Sequence, residues 1–500
     1  MPRLTNTPDV KLGIVGVSRG CFPISMARSR LTKLVGALKK RGLDVQRCSV
    51  VIENENHALK ALTDLSQKGC NAAVVYLGNF GPEGPTTVFA ERFPGPVMVC
   101  AAAEENKKVL AADRGDALCG LLSVAYNLGL RRLSAYIPQT PVAMPSELAE
   151  SISLFESIAR VLLGALNVKL FTFGPRPRDF MTCSAPIGPL YDMGVEVVEE
   201  SELDLLQLYR AAGAKKKDIR AVVADMKKEL GRKGSPYPDL LPKLAQLEVA
   251  LLDYAAKNLG ASKYCIFANK CWPGFEPEFG FVPCYVNSRL AGRGIPVACE
   301  VDMYGAFSEY LAQLASLKPA TLLDINNSVP ADVVPDGADL KGAELGDLFM
   351  GFHCGNTCSE HLTGCSMKYQ FIMNRLMEGG KKPDVTRGTL EGCLRPGPIT
   401  FFRLQSTPDC ELRSYVADGE ILDMDPCTFG GTGVFAIPGF ARFYRHGLIG
   451  KCFPHHGAVA FEKVGKILYE AVKLLGVEDI AVPLPKSMLY EGENPFELFS

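Results

Sequence analysis

The sequence has almost no net charge. Its 54 basic residues face 55 acidic ones, leaving −1, so no overall field draws the chain to nucleic acid or anionic lipid. Long apolar runs are missing as well. The most hydrophobic helical stretch, around Ser151 to Val168, carries Glu156 and Arg160 inside it, which argues against a membrane span and for a buried helix. Met1-Pro2-Arg3-Leu4-Thr5 lacks the apolar run of a secretory leader. The 17 scattered cysteines are therefore expected to be free thiols of a cytoplasmic protein rather than a disulfide framework. No repeat, low-complexity tract or Walker-type phosphate loop is present. The glycines from Gly13 to Gly20 depart from the G-x-G-x-x-G spacing, which disfavours nucleotide chemistry. Arg19, at that strand-to-helix turn, is left to meet an anionic or hydroxylated ligand.

What is present is a globular chain, 47% hydrophobic and 22% charged, long enough for several domains. Short apolar runs at 11–17, 45–51, 71–76 and 96–101 alternate with helical patterns at 23–41 and 57–68, the signature of a parallel sheet covered by helices. A second alternating block covers about 172–351, with helical stretches at 202–233 and 240–259 and strands at 264–268, 297–300, 320–325 and 348–353. After about residue 354 the pattern turns to period-2 strands at 385–404, 411–418 and 433–438, with a last helix near 460–475. The expected class is α/β: two Rossmann-like parallel-sheet domains, 1–171 and 172–353, followed by a β-rich C-terminal domain, 354–500. The run Lys215-Lys216-Lys217 reads as a solvated helix face.

Two clusters invite a metal. Cys354, Cys358, His361 and Cys365 are zinc-type ligands within twelve residues, but their C-x3-C-x2-H-x3-C spacing departs from the common structural patterns. The other cluster is spread along the chain. Glu300 ends the apolar run Ile295–Cys299, Asp324 follows Thr321-Leu322-Leu323, and the histidines of Pro454-His455-His456 precede the last helix. One strand-helix-strand unit can bring Glu300 and Asp324 to the same sheet edge, where two carboxylates need a cation between them. An Asp/Glu/His set suits Mn²⁺ or Mg²⁺ better than a thiolate zinc cage. His353 ends a strand, where open α/β sheets place ligands.

Lys270-Cys271-Trp272-Pro273, Gly294 to Ala306, Asp324, His353-Cys354-Gly355, Arg395 to Thr400 and Pro454 to Val459 together resemble the L-fucose isomerase/L-arabinose isomerase family, in the right order and nearer the fucose isomerase branch. The resemblance implies the three-domain architecture just read. It also implies a Mn²⁺-dependent aldose–ketose isomerase (Mg²⁺ or another divalent ion being an alternative) with Glu300, Asp324 and His456 as ligands. Glu300 and Asp324 jointly serve as acid/base pair in this reading. It further implies a homo-oligomer, usually a hexamer, whose active sites are completed by a neighbouring subunit, with Arg19 as a sugar-binding arginine. Trp272, His353, Asn326 and His455 are the other expected substrate contacts, and His455 is also a candidate partner that orients His456. Two departures put the sugar in question: His455 stands where the family usually has asparagine, and the chain is shorter in its C-terminal domain. Isomerases of sulfoquinovose, a sulfonated glucose, share this shape, and Arg19, Arg28 and Lys451 are candidate partners for such an anion. The rival readings are an aldolase or epimerase on the same site, and a sugar-binding homologue without turnover.

Overall fold

A computed structural model describes residues 6–231 and 236–496. The leader reading at Met1–Thr5 and the end of the 202–233 helical stretch at Lys233 fall outside the described residues. The chain forms two compact units, one of Pro8–Leu163 and one of Met1–Thr7 with Gly164–Ser500.

The first unit is built on five parallel strands in the order β2-β1-β3-β4-β5. Its elements are β1 (Leu12–Val17), α1 (Ile24–Lys40), β2 (Val45–Ile52), α2 (Glu55–Gln67), β3 (Ala72–Leu77), α3 (Glu83–Arg92), β4 (Val97–Ala102), α4 (Ala117–Leu130) and β5 (Val142–Ala143). Every residue of β1, β3 and β4 is buried, because helices cover both faces of a parallel sheet; this is why these strands read as unbroken apolar runs. Helix α5 (Pro145–Ala165) closes the series.

The second unit starts with β6 (Val168–Phe173), α6 (Gly188–Asp192), β7 (Glu196–Glu200), α7 (Glu202–Ala212), α8 (Lys216–Leu230), α9 (Leu241–Asn258), β8 (Tyr264–Ala268), α10 (Phe275–Phe279), α11 (Cys284–Gly292), β9 (Val297–Ala298) and α12 (Met303–Ser316). Its four parallel strands run β7-β6-β8-β9. The 202–233 helical stretch is two helices, separated at 213–215.

The remaining elements are β10 (Thr321–Ser328), β11 (Leu348–His353), β12 (Leu362–Tyr369), α13 (Phe371–Met377), β13 (Arg387–Leu394), β14 (Gly397–Ser406), β15 (Leu412–Ile421), β16 (Gly431–Ala436), α14 (Phe440–Phe443), β17 (His456–Ala460), α15 (Gly465–Leu474) and β18 (Asp479–Ala481). They make a nine-stranded, mainly antiparallel sheet in the order β12-β13-β16-β11-β10-β17-β14-β15-β18. Because β15 also pairs with β16, six of these strands close on themselves as a barrel. Phe349, Phe401, Phe435 and Phe440 stack in its core.

The strand assignment differs from the sequence reading in three places. The strand at 168–173 belongs to the second parallel sheet. The strands at 320–325 and 348–353, read as part of the second α/β domain, pair antiparallel with each other and with β17 and β16. An apolar run shows that a strand is buried, not which sheet buries it. The stretch 385–404 is two strands, broken where Pro396 interrupts the run.

Candidate functional site

The site forms where the short second parallel sheet meets the barrel. Strand β9 ends at Ala298, and the chain turns through Glu300 (φ 53°) and Val301 (φ 55°) before Asp302 opens α12. Two consecutive left-handed residues, one of them β-branched, are costly and persist only where the surroundings impose them. The Val301 amide donates to the Asn269 carbonyl (2.9 Å) and the Asp302 amide to that of Cys299 (3.1 Å). Asp302 accepts from the Gly305 amide (2.8 Å), capping the helix.

Asp324 on β10 lies directly opposite His456 on β17, so their side chains emerge on the same side of the sheet. His456 Nε2 is 3.3 Å from Asp324 Oδ1 and 3.9 Å from Glu300 Oε2. Its other nitrogen, Nδ1, meets Asp302 Oδ2 at 2.8 Å, and Asp302 is gripped by both terminal nitrogens of Arg403 (2.6 and 2.8 Å). Asp302, Arg403 and His456 are each about 1% exposed or less. The Gly457 position has no room for a side chain: a Cβ there would lie 2.3 Å from the Phe401 ring and 2.4 Å from the Tyr415 hydroxyl. Close backbone packing thus holds β17 beside the histidine.

The set fits a divalent cation. Glu300 Oε2 is buried without a hydrogen-bond partner, and burial pushes its carboxyl up to about 7 although His456 opposes the shift. Burial works against a charged His456, yet Asp302, Asp324 and Cys183 hold that imidazole well above its usual range. Positive charge is therefore wanted at this point. Burial would raise Asp302 too, but Arg403 and His456 overcome it and keep the carboxyl well below the usual range. With Asp302 on Nδ1, Nε2 is the nitrogen that faces Glu300 and Asp324, and a cation that displaced its proton would meet the arrangement a metal-binding histidine needs. Two carboxylates and one imidazole suit a hard divalent ion.

Among the described residues, Asp324, His455 and His456 form one group whose ligand atoms all lie within 4.8 Å of one another; Cys299, Glu300 and His353 form another. His353 is buried with Nδ1 unpartnered, and burial lowers its pKa to about 4, so the ring is neutral. His455 Nε2 is 4.0 Å from Asp324 Oδ1 and its ring centroid 4.4 Å from that of His456. Trp272 reaches the cluster through Phe180, whose ring centroid is 6.1 Å from Trp272, 5.6 Å from His455 and 6.0 Å from His456.

Several expectations need correction. Glu300 and Asp324 do not share a sheet, since β9 is parallel and β10 belongs to the barrel; α12 connects them across the junction. His353 ends an antiparallel strand rather than a parallel one. The partner orienting His456 is Asp302, not His455. Asn326 sits at a bulge in β10, exposed and bonded to Asn327 (2.6 Å), and lines a separate pocket with Phe440 and Tyr444. The thiolate zinc cluster is not assembled: the His361 ring stacks on Phe461 at 3.7 Å, and no group of closely spaced metal-type ligands among the described residues contains Cys358, His361 or Cys365.

Arg19, in the first unit, donates to the Gly81 carbonyl (3.0 and 3.1 Å), pairs with Glu83 and lies 4.0 Å over the Phe80 ring. Arg28 is exposed on α1, and Lys451 pairs with Asp479. Asp302, Arg403, Phe180 and Cys183, whose sulfur is 3.7 Å from His456 Nδ1, were not singled out from the sequence. For Asp302 the available signal was its place two residues after Glu300.

Residues 13–166 match the fucose/sulfoquinovose isomerase N-terminal domain, and residues 351–481 match the L-fucose isomerase C-terminal domain. The chain belongs to the fucose/sulfoquinovose isomerase family. Its relatives include sulfoquinovose isomerases from Alkalicoccus urumqiensis (27% identical over 246 residues, 48% of each chain) and Priestia aryabhattai (26% over 231 residues, 45% of this chain and 46% of that one). A third, from Clostridium sp. (strain MSTE9), is 29% identical over 189 residues, 37% of this chain and 36% of the relative. The matched segments span about half the length of these curated relatives or less. Among the described residues, no helix is long and apolar enough to cross a membrane.

Proposed function

We propose that this protein is a metal-dependent aldose–ketose isomerase acting on an open-chain sugar. The observation that carries the reading is the convergence of Glu300, Asp324 and His456, with Glu300 Oε2 buried and unpartnered, in a chain of the isomerase family. A divalent ion, Mn²⁺ in our reading, would be held by these three side chains and would supply positive charge to the sugar carbonyl and to the negative charge that develops as a proton leaves. Glu300 and Asp324 flank the bound sugar and share the proton work: one takes the C2 proton and returns it to C1, the other manages the hydroxyl proton. Asp302 and Arg403 keep His456 in the tautomer that presents Nε2. Phe180 and Trp272 form an apolar wall that excludes water beside the sugar.

The finer reading is a sulfonated sugar, sulfoquinovose, as substrate. The names of the relatives support it, as does a cavity of about 580 Å³ lined by Thr182, Pro454, Arg413 and Lys451. Those two cations share one carboxylate, Asp479, and so leave positive charge over. The test is NMR of the purified protein with sulfoquinovose, L-fucose, D-arabinose and L-arabinose, in Mn²⁺ and again in EDTA. Metal-dependent conversion of sulfoquinovose to its ketose is expected. Conversion of L-fucose alone would overturn the substrate, and conversion unaffected by EDTA would overturn the metal.

A further inference from the structure

Helix α4 is apolar on both faces. Between Asp116 and Arg131 it carries no charged residue. Ala117, Gly120, Leu121, Val124 and Leu128 are buried against their own unit. The opposite face shows Leu118 (65% exposed), Leu122 (70%), Tyr126 (71%) and Leu130 (66%) to solvent. The spacing of four residues sets these side chains in one continuous ridge along the helix. A helix with apolar residues all round belongs inside a structure, and this one lacks a cover on one side.

We infer that this ridge is an interface between two copies of the chain, packed antiparallel about a two-fold axis near Val124. Three leucines and one tyrosine, each about two-thirds exposed, form an apolar patch on the order of 400 Å², inside the range of about 300–600 Å² in which a monomer's largest patch is often functional. Pairing the ridge with its own copy removes about 800 Å², and the polar rim brings the contact to about 1,000 Å², the threshold for a specific interface. The ridge is self-complementary, because i, i+4 rows interlock with i, i+4 rows. Charge favours the antiparallel sense. At the start of the helix Asp116 is taken by Arg114, and at its end Arg131 is taken by Glu91; this leaves Asp113 at the first end and Arg132 at the second, so Asp113 of one copy meets Arg132 of the other, with the helix dipoles opposed. In this arrangement Leu122 packs on the second copy's Tyr126, and Leu118 on its Leu130. The assignment does not depend on the isomerase reading.

The test is the mass of the full chain by light scattering and sedimentation across the micromolar range, for the wild type and for L122E/Y126E. The control is L59E, which charges a partly exposed leucine on α2 of the same unit. The double variant is expected to fall to half the wild-type mass or less where the wild type and L59E remain assembled, with unchanged far-UV circular dichroism. The milder L122Q should weaken association by tenfold or more. A wild type that stays monomeric, which would leave the ridge for a different partner, overturns the inference; so does assembly unchanged in both folded variants.

Discussion

Replacing Asp302 by Asn tests the network behind the histidine without changing its shape. Asn still accepts from the Gly305 amide, so the helix cap survives. Two things are lost. The Arg403 guanidinium, fully buried, loses its only carboxylate partner among the described residues and keeps neutral acceptors alone, the retained Oδ1 at position 302 and Gln405. Stranding a buried charge in this way costs about 3–5 kcal/mol. His456 Nδ1 also loses its anionic partner, and such outer contacts are each worth about 10- to 100-fold in metal affinity. Urea unfolding of the metal-free protein reads the first loss, and calorimetric titration with Mn²⁺ reads the second. The double variant D302N/R403M separates them: removing the stranded charge should restore most of the stability, while Mn²⁺ affinity stays reduced. D302N binding Mn²⁺ as tightly as wild type would refute the orienting role, and D302N as stable as wild type would refute the burial argument.

Other expectations follow from the same structure. Glu276 is fully buried with both carboxylate oxygens unpartnered, and burial, with Glu202 and Glu378 nearby, raises its pKa from 4.5 to about 8. The folded chain keeps a proton that the unfolded chain releases, so this stability is present below about pH 4.5 and is lost as pH rises through about 8, a change on the order of 5 kcal/mol. E276Q should flatten that fall in urea titrations run at several pH values, and an unchanged pH slope would contradict the burial. A Cβ on Gly120 would lie 1.7 Å from the Phe80 carbonyl oxygen, and since backbone cannot step aside, G120A should cost at least about 1–3 kcal/mol in denaturant unfolding. If it unfolds at the wild-type midpoint, α4 does not approach that loop. Phe180→Ala opens the apolar wall over His455 and His456 and should raise KM or lower kcat about tenfold or more with the Mn²⁺ affinity retained; a loss of metal binding instead would assign the ring to the ligand frame.

The parallel sheets were readable because their strands, buried on both faces, appear as uninterrupted apolar runs separated by helices. The three side chains that converge in the candidate site were readable for a different reason: Glu300, Asp324 and His456 each follow or open such a run, where polar side chains need an explanation. Their partners were harder. Arg403 stands 101 residues from the Asp302 it grips, and no local pattern announces a pairing that the barrel creates. Asp302 hid behind its ordinary role as a helix cap, which it also fills. Asn326 was misplaced because a bulge shifts the register between Ile325 and Asn327, and alternation cannot report an inserted residue. The Cys354–Cys365 segment shows the opposite failure: ligand types close in sequence are spread apart, with His361 taken up by Phe461.

The most direct test of the account follows a proton. Wild type and E300Q, each loaded with Mn²⁺, are incubated with sulfoquinovose and with L-fucose in D₂O, and deuterium at C1 and C2 is read by NMR. With wild type the account predicts deuterium in the sugar only when metal is present, accompanied by ketose; with folded, metal-loaded E300Q it predicts neither. Ketose formed by E300Q at the wild-type rate, or by wild type stripped of metal, would contradict it.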